Sequence, residues 1–128
     1  MCGVVGICSQ DPADDPEIVA TMRDTLAHRG PYGVGLWISA DRRVVFAHTR
    51  LAIIDLSDSG AQPMTLDNGR LCITYNGEIY NYRELRTELA QAGHRFRSTS
   101  DTEVILAAYD RWGTGAIERL EGPTRFRR

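Results

Sequence analysis

The sequence contains no lysine, no strong excess of charge and no long apolar segment. All 15 basic residues are arginine, and 17 acidic residues give a formal net charge of -2. This balance gives no general electrostatic reason to expect nucleic acid as a partner. No apolar run approaches the length that spans a bilayer, so the sequence predicts no membrane segment.

Cysteine is also scarce, at Cys2, Cys8 and Cys72, and no Cys-x-x-Cys spacing occurs. Three cysteines leave at least one thiol unpaired in any disulfide scheme. A reducing, cytoplasmic compartment fits this pattern best. The length of 128 residues suits one domain with a real core and is too short for two ordinary domains.

Short apolar runs bounded by turn residues predict strands in the first part of the chain. They lie at 3–9, 36–39, 44–47 and 71–75, and the polar turn at 41–43 joins the middle two as a hairpin. Strands surrounded by helices are typical of the α+β class.

Apolar residues at helical spacing predict three helices. The first begins at Pro16 and runs to Gly30, and the other two end at Gly93 and Gly113. Their apolar faces consist of Ile18, Val19, Met22 and Leu26, then Tyr82, Leu85, Leu89 and Ala92, and finally Val104, Ile105, Ala108, Tyr109 and Trp112.

Cys2 directly follows the initiator methionine, so removal of Met1 would place a thiol and a free α-amine on one residue. An α-amine has an ordinary pKa of about 7.7–8.0 and can accept a proton near neutral pH. Cysteine is the most nucleophilic ordinary side chain. The alternative is a small apolar residue that opens a buried strand. Both interpretations stay open on this residue alone.

Other polar positions also allow a structural and a functional interpretation. Arg50 could be a solvent charge on an edge strand, or it could present its guanidinium to a carboxylate. Asn76 and Gly77 form either a turn dipeptide or a pair of donors that converge on an oxyanion. Ser100 or Asp101 could cap the helix that follows.

Five motifs occur in order along the chain: Cys2-Gly3-Val4-Val5-Gly6, His28-Arg29-Gly30-Pro31, Arg50-Leu51-Ala52-Ile53-Ile54-Asp55, Asn76-Gly77-Glu78-Ile79-Tyr80-Asn81 and Ser100-Asp101-Thr102-Glu103-Val104-Ile105. Together they resemble the glutaminase domain of glutamine-dependent asparagine synthetases, a class II glutamine amidotransferase. The resemblance favours the nucleophile interpretation of Cys2. It implies an N-terminal-nucleophile hydrolase-like αββα sandwich that is incomplete at its C-terminus.

The resemblance implies catalytic roles for three residues. Cys2 would attack the side-chain amide of glutamine, form a γ-glutamyl thioester and release ammonia. Asn76 and Gly77 would bind the oxyanion, and water would then hydrolyse the thioester to glutamate.

It also implies a binding site with opposite charges for the two ends of glutamine. Arg50 would pair with the α-carboxylate, whereas Glu78 and Asp101 would receive the α-ammonium. Further pocket lining would come from Asn76, Gly77 and the backbone of Leu51, Ala52, Ile53 and Ile54.

The same resemblance divides the chain into a partial amidotransferase domain at 1–122 and an atypical basic tail at 123–128. In the family, ammonia reaches a synthetase domain that activates aspartate with ATP and magnesium. That domain is absent from this sequence, so we expect no cofactor or metal in this chain, and we expect a separate synthetase domain or subunit as a partner.

Two alternatives remain open. One is an inactive or partner-dependent glutaminase-like fragment, and the other is an amidotransferase domain that serves a different acceptor. The motif at 28–31 is less informative, because the C-terminus of a helix favours cations and explains His28 and Arg29 without catalysis. Tyr32 stands where the family generally has aspartate.

Overall fold

The computed structural model describes residues 2–11, 16–51 and 57–122. In chain order, these residues form β1 (Gly3–Cys8), α1 (Pro16–Asp24), β2 (Val34–Ile38), β3 (Val44–Thr49), β4 (Met64–Leu66), β5 (Leu71–Ile73), α2 (Tyr82–Gln91), α3 (Asp101–Trp112) and α4 (Ala116–Arg119). Helices combined with small antiparallel sheets confirm the predicted α+β class.

The first sheet has the strand order β1-β3-β2, and both pairs are antiparallel. The predicted hairpin is therefore confirmed as β2 and β3. Its turn contains Arg42 with a φ of 59°, in the left-handed region. The chain places β1 along the other edge of β3, so the central strand of this sheet is the third one in sequence.

Helix α1 begins at Pro16, as predicted, but the prediction that it runs to Gly30 is wrong. It ends at Asp24, and a 3₁₀ turn follows at Ala27–Arg29. Thr25 Oγ1 donates to Met22 O at 2.7 Å near this end. Side-chain bonds to nearby backbone groups compete with continuation of a helix.

The buried face of α1 is narrower than the apolar pattern predicts. Val19 is 1% exposed and packs with Val5 and Val45 of the first sheet. Ile18 and Met22, which the pattern places on the same face, are 55% and 45% exposed. Val19 is therefore the one fully buried position of α1.

Strands β4 and β5 form a second antiparallel sheet. The predicted strand at 71–75 is confirmed over three residues as β5, whereas β4 was not predicted, since three residues are too few to show a period. Tyr75 N–H donates to Gln62 Oε1 at 2.6 Å and closes the pair at one end. The two sheets meet where a 2.9 Å hydrogen bond joins His48 Nδ1 of β3 and Thr74 Oγ1.

Helices α2 and α3 pack against each other, and α3 also packs on β4 and β5. Gly93 and Gly113 follow the two helices with φ of 99° and 57°, which confirms the predicted helix ends. Ser100 caps α3 with its hydroxyl. Ala92 and Tyr109 are exposed, contrary to their place in the apolar stripes. The core between the helices consists of Leu85, Leu89, Val104, Ala107, Ala108 and Ala116.

Candidate active site

The Cys2 thiol lies against the backbone at the end of β3. Leu51 N–H donates to Cys2 Sγ at 3.2 Å, and Sγ lies 3.6 Å from Leu51 O. The register explains this contact, because Gly3 pairs with Thr49 and antiparallel strands continue outwards to residues 2 and 50. The pairing of β1 with β3 therefore brings together two segments 49 residues apart.

The residue after Cys2 is held by a buried hydroxyl. Gly3 N–H donates to Thr49 Oγ1 at 3.0 Å, and Thr49 Oγ1 donates to Leu26 O at 3.2 Å. A Cβ at Gly3 would lie 2.5 Å from Thr49 Oγ1 and 2.8 Å from Leu26 Cβ, so only glycine allows this approach. Thr49 is completely buried. These contacts fix the register of β1 against β3 and, with it, the position of Cys2.

Arg29 contacts the backbone of the proposed nucleophile. Its Nε donates to Cys2 O at 3.1 Å, from the 3₁₀ turn that follows α1. Gly30 packs so closely on the Thr49–Arg50 peptide that a Cβ there would collide with the Thr49 carbonyl. Neighbouring His28 is exposed. The preference of helix C-termini for cations does not account for this hydrogen bond. The bond from Arg29 holds the backbone of Cys2, the residue that carries the thiol.

Asn76 contacts Cys2 from the loop that follows β5. Cys2 N donates to Asn76 Oδ1 at 3.1 Å, across 74 residues of sequence. Asn76 and Gly77 are both exposed and follow Tyr75, which is buried after β5. The loop after β5 therefore brings the Asn76 side chain to the residue with the thiol, and Gly77 follows directly in the same loop.

Glu78 and Asp101 form an acidic pair next to this loop. Asp101 is 6% exposed, and its Oδ2 accepts Ile79 N–H at 3.1 Å. Burial raises the pKa of Asp101, and the negative charge of Glu78 raises it further. Backbone hydrogen bonds from Ile79 and Thr102 lower this pKa but do not cancel the increase. A cation bound between the two carboxylates would relieve this unfavourable charge.

Arg50 is half-buried at the end of β3, one residue before the amide that bonds to the thiol. Its backbone is held at both ends, since Arg50 N–H donates to Gly33 O at 2.8 Å and Tyr32 N–H donates to Arg50 O at 3.0 Å. Its Nη1 donates to Ser57 O at 2.7 Å. Tyr32 itself is 70% exposed, and no contact among the described residues gives its side chain a role.

His48 lies beneath the site and is completely buried. Burial lowers the pKa of His48 to about 4, with a further decrease from the positive charge of Arg50, so the ring is neutral near pH 7. Its Nδ1 bonds to Thr74 Oγ1, and its Nε2 has no hydrogen-bond partner among the described residues. This histidine connects β3, which Arg50 directly follows, with the segment that leads to Asn76.

The structure brings Leu51 and Asn76 each into contact with Cys2. Arg50 and the adjacent residues Gly77 and Glu78 lie on the same segments, and Asp101 bonds to Ile79 of the second one. Three expected pocket residues, Ala52, Ile53 and Ile54, lie outside the described residues, as do Met1 and the tail at 123–128.

Three contributors were not predicted from the sequence as site residues: Arg29, His48 and Thr49. The first belongs to the motif at 28–31, which was the available signal. The other two belong to β3 and show nothing in sequence beyond polar residues beside an apolar run.

A cavity of about 300 Å³ lies elsewhere, and none of the expected site residues lines it. Its lining consists of Ser59, Ala61, Pro63, Met64, Thr65, Arg97 and Glu103. Within residues 2–11, 16–51 and 57–122, no three His, Cys, Asp or Glu residues are grouped to hold a metal ion. The same ranges contain no helix with the length and apolar character needed to cross a membrane.

The chain is similar to known proteins over a range that includes all of these site residues. A family described as glutamine amidotransferase domain matches residues 1–126. The chain is 41% identical over 130 residues to asparagine synthetase (glutamine-hydrolyzing) 1 of Bacillus subtilis, covering 98% of the chain and 20% of that protein. It is 40% identical over 124 residues to asparagine synthetase (glutamine-hydrolyzing) 1 of Arabidopsis thaliana, covering 95% of the chain and 20% of that protein.

A relative with a different name is Amidase chry2 of Gibberella zeae, with 39% identity over 110 residues, covering 86% of the chain and 16% of that protein. The chain thus spans about a fifth of the length of the curated relatives it matches.

Proposed function

Because the chain belongs to the glutamine amidotransferase domain family, we propose that it hydrolyses glutamine to glutamate and ammonia through a thioester on Cys2. One observation carries the proposal: Cys2 is bonded at two points, from its N to Asn76 Oδ1 at 3.1 Å and from its Sγ to Leu51 N–H at 3.2 Å. These contacts support the proposal, because they bring the Cys2 thiol, its main-chain N and the Asn76 side chain together.

The first chemical step uses both functional groups of Cys2. Removal of Met1 would make Cys2 N an α-amine, which takes the thiol proton, directly or through water, as Sγ attacks the amide carbon of glutamine. The tetrahedral intermediate then breaks its C–N bond, and the amine returns the proton to the departing nitrogen, so that ammonia leaves. Water adds to the thioester, the C–S bond breaks, and glutamate and the free thiol are released.

Asn76 and Gly77 stabilise the oxyanion in this proposal. In this proposal Asn76 Oδ1 keeps the bond from Cys2 N, and the donor end of the same amide, Nδ2, binds the oxyanion. The Gly77 backbone N–H is the second donor, and the absence of a side chain lets the substrate approach closely. One preorganised donor of this kind typically contributes about 10²–10³-fold in rate.

The charged residues select glutamine by its two ends. Arg50 pairs with the α-carboxylate, since its planar guanidinium offers parallel donors at the right spacing. Glu78 and Asp101 receive the α-ammonium, which would compensate the burial that raises the pKa of Asp101. The backbone of Leu51 and of residues 52–54 lines the remainder of the pocket.

We also propose that the helices and sheets form the αββα sandwich of N-terminal-nucleophile hydrolases. Three contacts support this arrangement: α1 packs on β1 and β3, the two sheets meet at His48 and Thr74, and α3 packs on β4 and β5. In this proposed arrangement the nucleophile lies at the start of β1, next to the loop that follows β5.

The ammonia acceptor is proposed from the relatives' names. Two relatives are named as glutamine-hydrolyzing asparagine synthetases. We therefore propose that the ammonia passes to a synthetase domain or subunit, where ATP and Mg²⁺ would activate aspartate. In this proposal the chain itself uses no cofactor. Three free cysteines are consistent with action in the reducing cytoplasm. Similarity to Amidase chry2 favours a second candidate, an amidotransferase that serves another acceptor.

A partner-dependent glutaminase fragment is the other candidate. Val34 and Leu36 on the edge strand β2 are 65% and 42% exposed, which leaves apolar surface on the first sheet. Activity that appears only after addition of a synthetase domain would favour this candidate.

The test compares two cysteines of one strand region. Cys2→Ala should abolish glutamate release from glutamine while circular dichroism stays unchanged, because the thiol forms the intermediate. Cys8→Ala is the matched control, since Cys8 is exposed at the far end of β1 and should tolerate the change. Turnover that survives in Cys2→Ala rules out the proposed mechanism.

A further inference from the structure

Asn81 uses its side chain on a distant segment instead of on its own helix. It is the N-cap residue of α2, yet its side chain makes no capping bond, although asparagine is among the best N-cap residues. Asn81 Nδ2 donates to Arg119 O at 2.8 Å, and Asn81 Oδ1 accepts Glu121 N–H at 3.0 Å. Both ends of the amide are therefore committed to the segment at 119–122, called the latch segment below.

The latch segment also contacts the loop before Asn81. Tyr80 N–H donates to Glu121 O at 2.7 Å. Gly122 lies directly on Glu78, and a Cβ at residue 122 would collide with Glu78 O and lie 3.7 Å from Ile79 Cα. The latch segment thus lies along residues 78–81 and leaves no room for a larger residue at position 122.

Apolar packing adds to these polar contacts. Leu120, at the centre of the latch segment, packs against the cluster of Tyr75, Ile79 and Ile105. Ile79 is 2% exposed, so its side chain is an anchor between the loop and the helices. Burial of these side chains holds the latch segment in place with the non-directional attraction that its hydrogen bonds lack.

The loop is bound from a second direction by α3. Asp101 Oδ2 accepts Ile79 N–H at 3.1 Å, while the next amide, that of Tyr80, is bound by Glu121 O. Two consecutive amides therefore bond to different elements. The backbone of Glu78, immediately before them, has little freedom to move while both elements stay in place.

We propose that Asn81 and Gly122 are positioning residues that hold Glu78 in the geometry that receives the α-ammonium of glutamine. The inference rests on the proposed function, since Glu78 has that role only in a glutamine site. Asn76 is held independently by its bond to Cys2. Loss of the latch contacts should therefore raise KM for glutamine more than it lowers kcat.

The decisive variant is Gly122→Ala, with Gly115→Ala as its matched control. Gly115 lies at the start of α4 in the right-handed helical region, and a Cβ there meets nothing within 4 Å. Gly122→Ala should raise KM for glutamine about tenfold, the effect of weakening one hydrogen bond to a charged group. Gly115→Ala should leave KM unchanged, and equal KM values for the two variants would overturn the inference.

Hydrogen exchange of the Tyr80 amide gives a readout that needs no activity. Asn81→Ala should accelerate its exchange about tenfold. The variant loses the two side-chain hydrogen bonds to Arg119 and Glu121, so the bond from Tyr80 N–H to Glu121 O opens more often. Unchanged exchange overturns the inference. Asn81→Asp serves if a variant fails to fold, since it keeps the acceptor for Glu121 N–H and places an oxygen against Arg119 O.

The two proposals can fail separately. A wild-type chain that folds and does not turn over glutamine would refute the proposed function and, with it, the role of Glu78; the exchange of the Tyr80 amide would then report only whether Asn81 holds the loop at 78–81. A wild-type chain that turns over glutamine, with variants that keep both KM and exchange rate, would refute only the latch.

Discussion

Replacement of His48 by asparagine should reduce the loss of free energy of unfolding that occurs when the pH is lowered. His48 is completely buried, and burial, assisted by the charge of Arg50, lowers its pKa to about 4 from an ordinary value of 6.5. In the unfolded chain the ring takes a proton near pH 6.5, whereas in the folded chain it does so only near pH 4. Lowering the pH through this window therefore favours the unfolded state.

The size of the effect follows from the two pKa values. Between pH 7 and pH 4.5, a group with pKa values of 6.5 and about 4 in the two states reduces the free energy of unfolding by about 2.5 kcal/mol. Asp101 acts in the opposite direction, because a raised pKa in the folded state makes its contribution more favourable as the pH falls. The wild type and the variant both contain Asp101, so their difference isolates His48.

Urea unfolding at about pH 7 and pH 4.5 measures the effect. The asparagine of the His48→Asn variant keeps an amide near the position of Nδ1, which can still bond to Thr74, but it does not titrate. His48→Asn is expected to be less stable at neutral pH and to lose about 2.5 kcal/mol less than the wild type on acidification. An equal loss in both proteins would show that His48 is not a buried neutral group.

Substitutions at two positions test the proposed site. Asn76→Ala should slow thioester formation about 10²–10³-fold, and Asn76→Asp should be slow as well, since it keeps the acceptor for Cys2 N but lacks the donor; single-turnover kinetics measure both, and a fast Asn76→Asp would exclude the donor role. Arg50→Ala should raise KM for glutamine with a smaller change in kcat, because the α-carboxylate loses its partner. An unchanged KM in steady-state assays would exclude that pairing.

Elements with strong local signals were predictable from the sequence. Gly93 and Gly113 end two helices because both residues adopt positive φ, and the polar turn at 41–43 fixes the hairpin of β2 and β3. The early end of α1 was not predictable, because Thr25 bonds back to the helix and Gly30 is held against β3. The first is a local side-chain hydrogen bond and the second is a tertiary contact. Neither alters the spacing of apolar residues from which the helix was predicted.

The site was predictable where it rests on motifs and not where it rests on packing. Cys2 and Asn76 are 74 residues apart, and only the resemblance to a family placed them together. Thr49 and His48 act through the pairing of β1 with β3 and the contact between the sheets. Such long-range contacts leave no spacing in the sequence, so these residues are visible only in the folded chain.

The most direct test of Cys2 as the nucleophile is the intact mass of the chain after incubation with 6-diazo-5-oxo-L-norleucine, a reactive glutamine mimic. We expect one adduct, which peptide mapping places on Cys2 in a chain that has lost Met1, while the exposed thiol of Cys8 stays unmodified. A folded chain without an adduct, or one that retains Met1, would contradict the account.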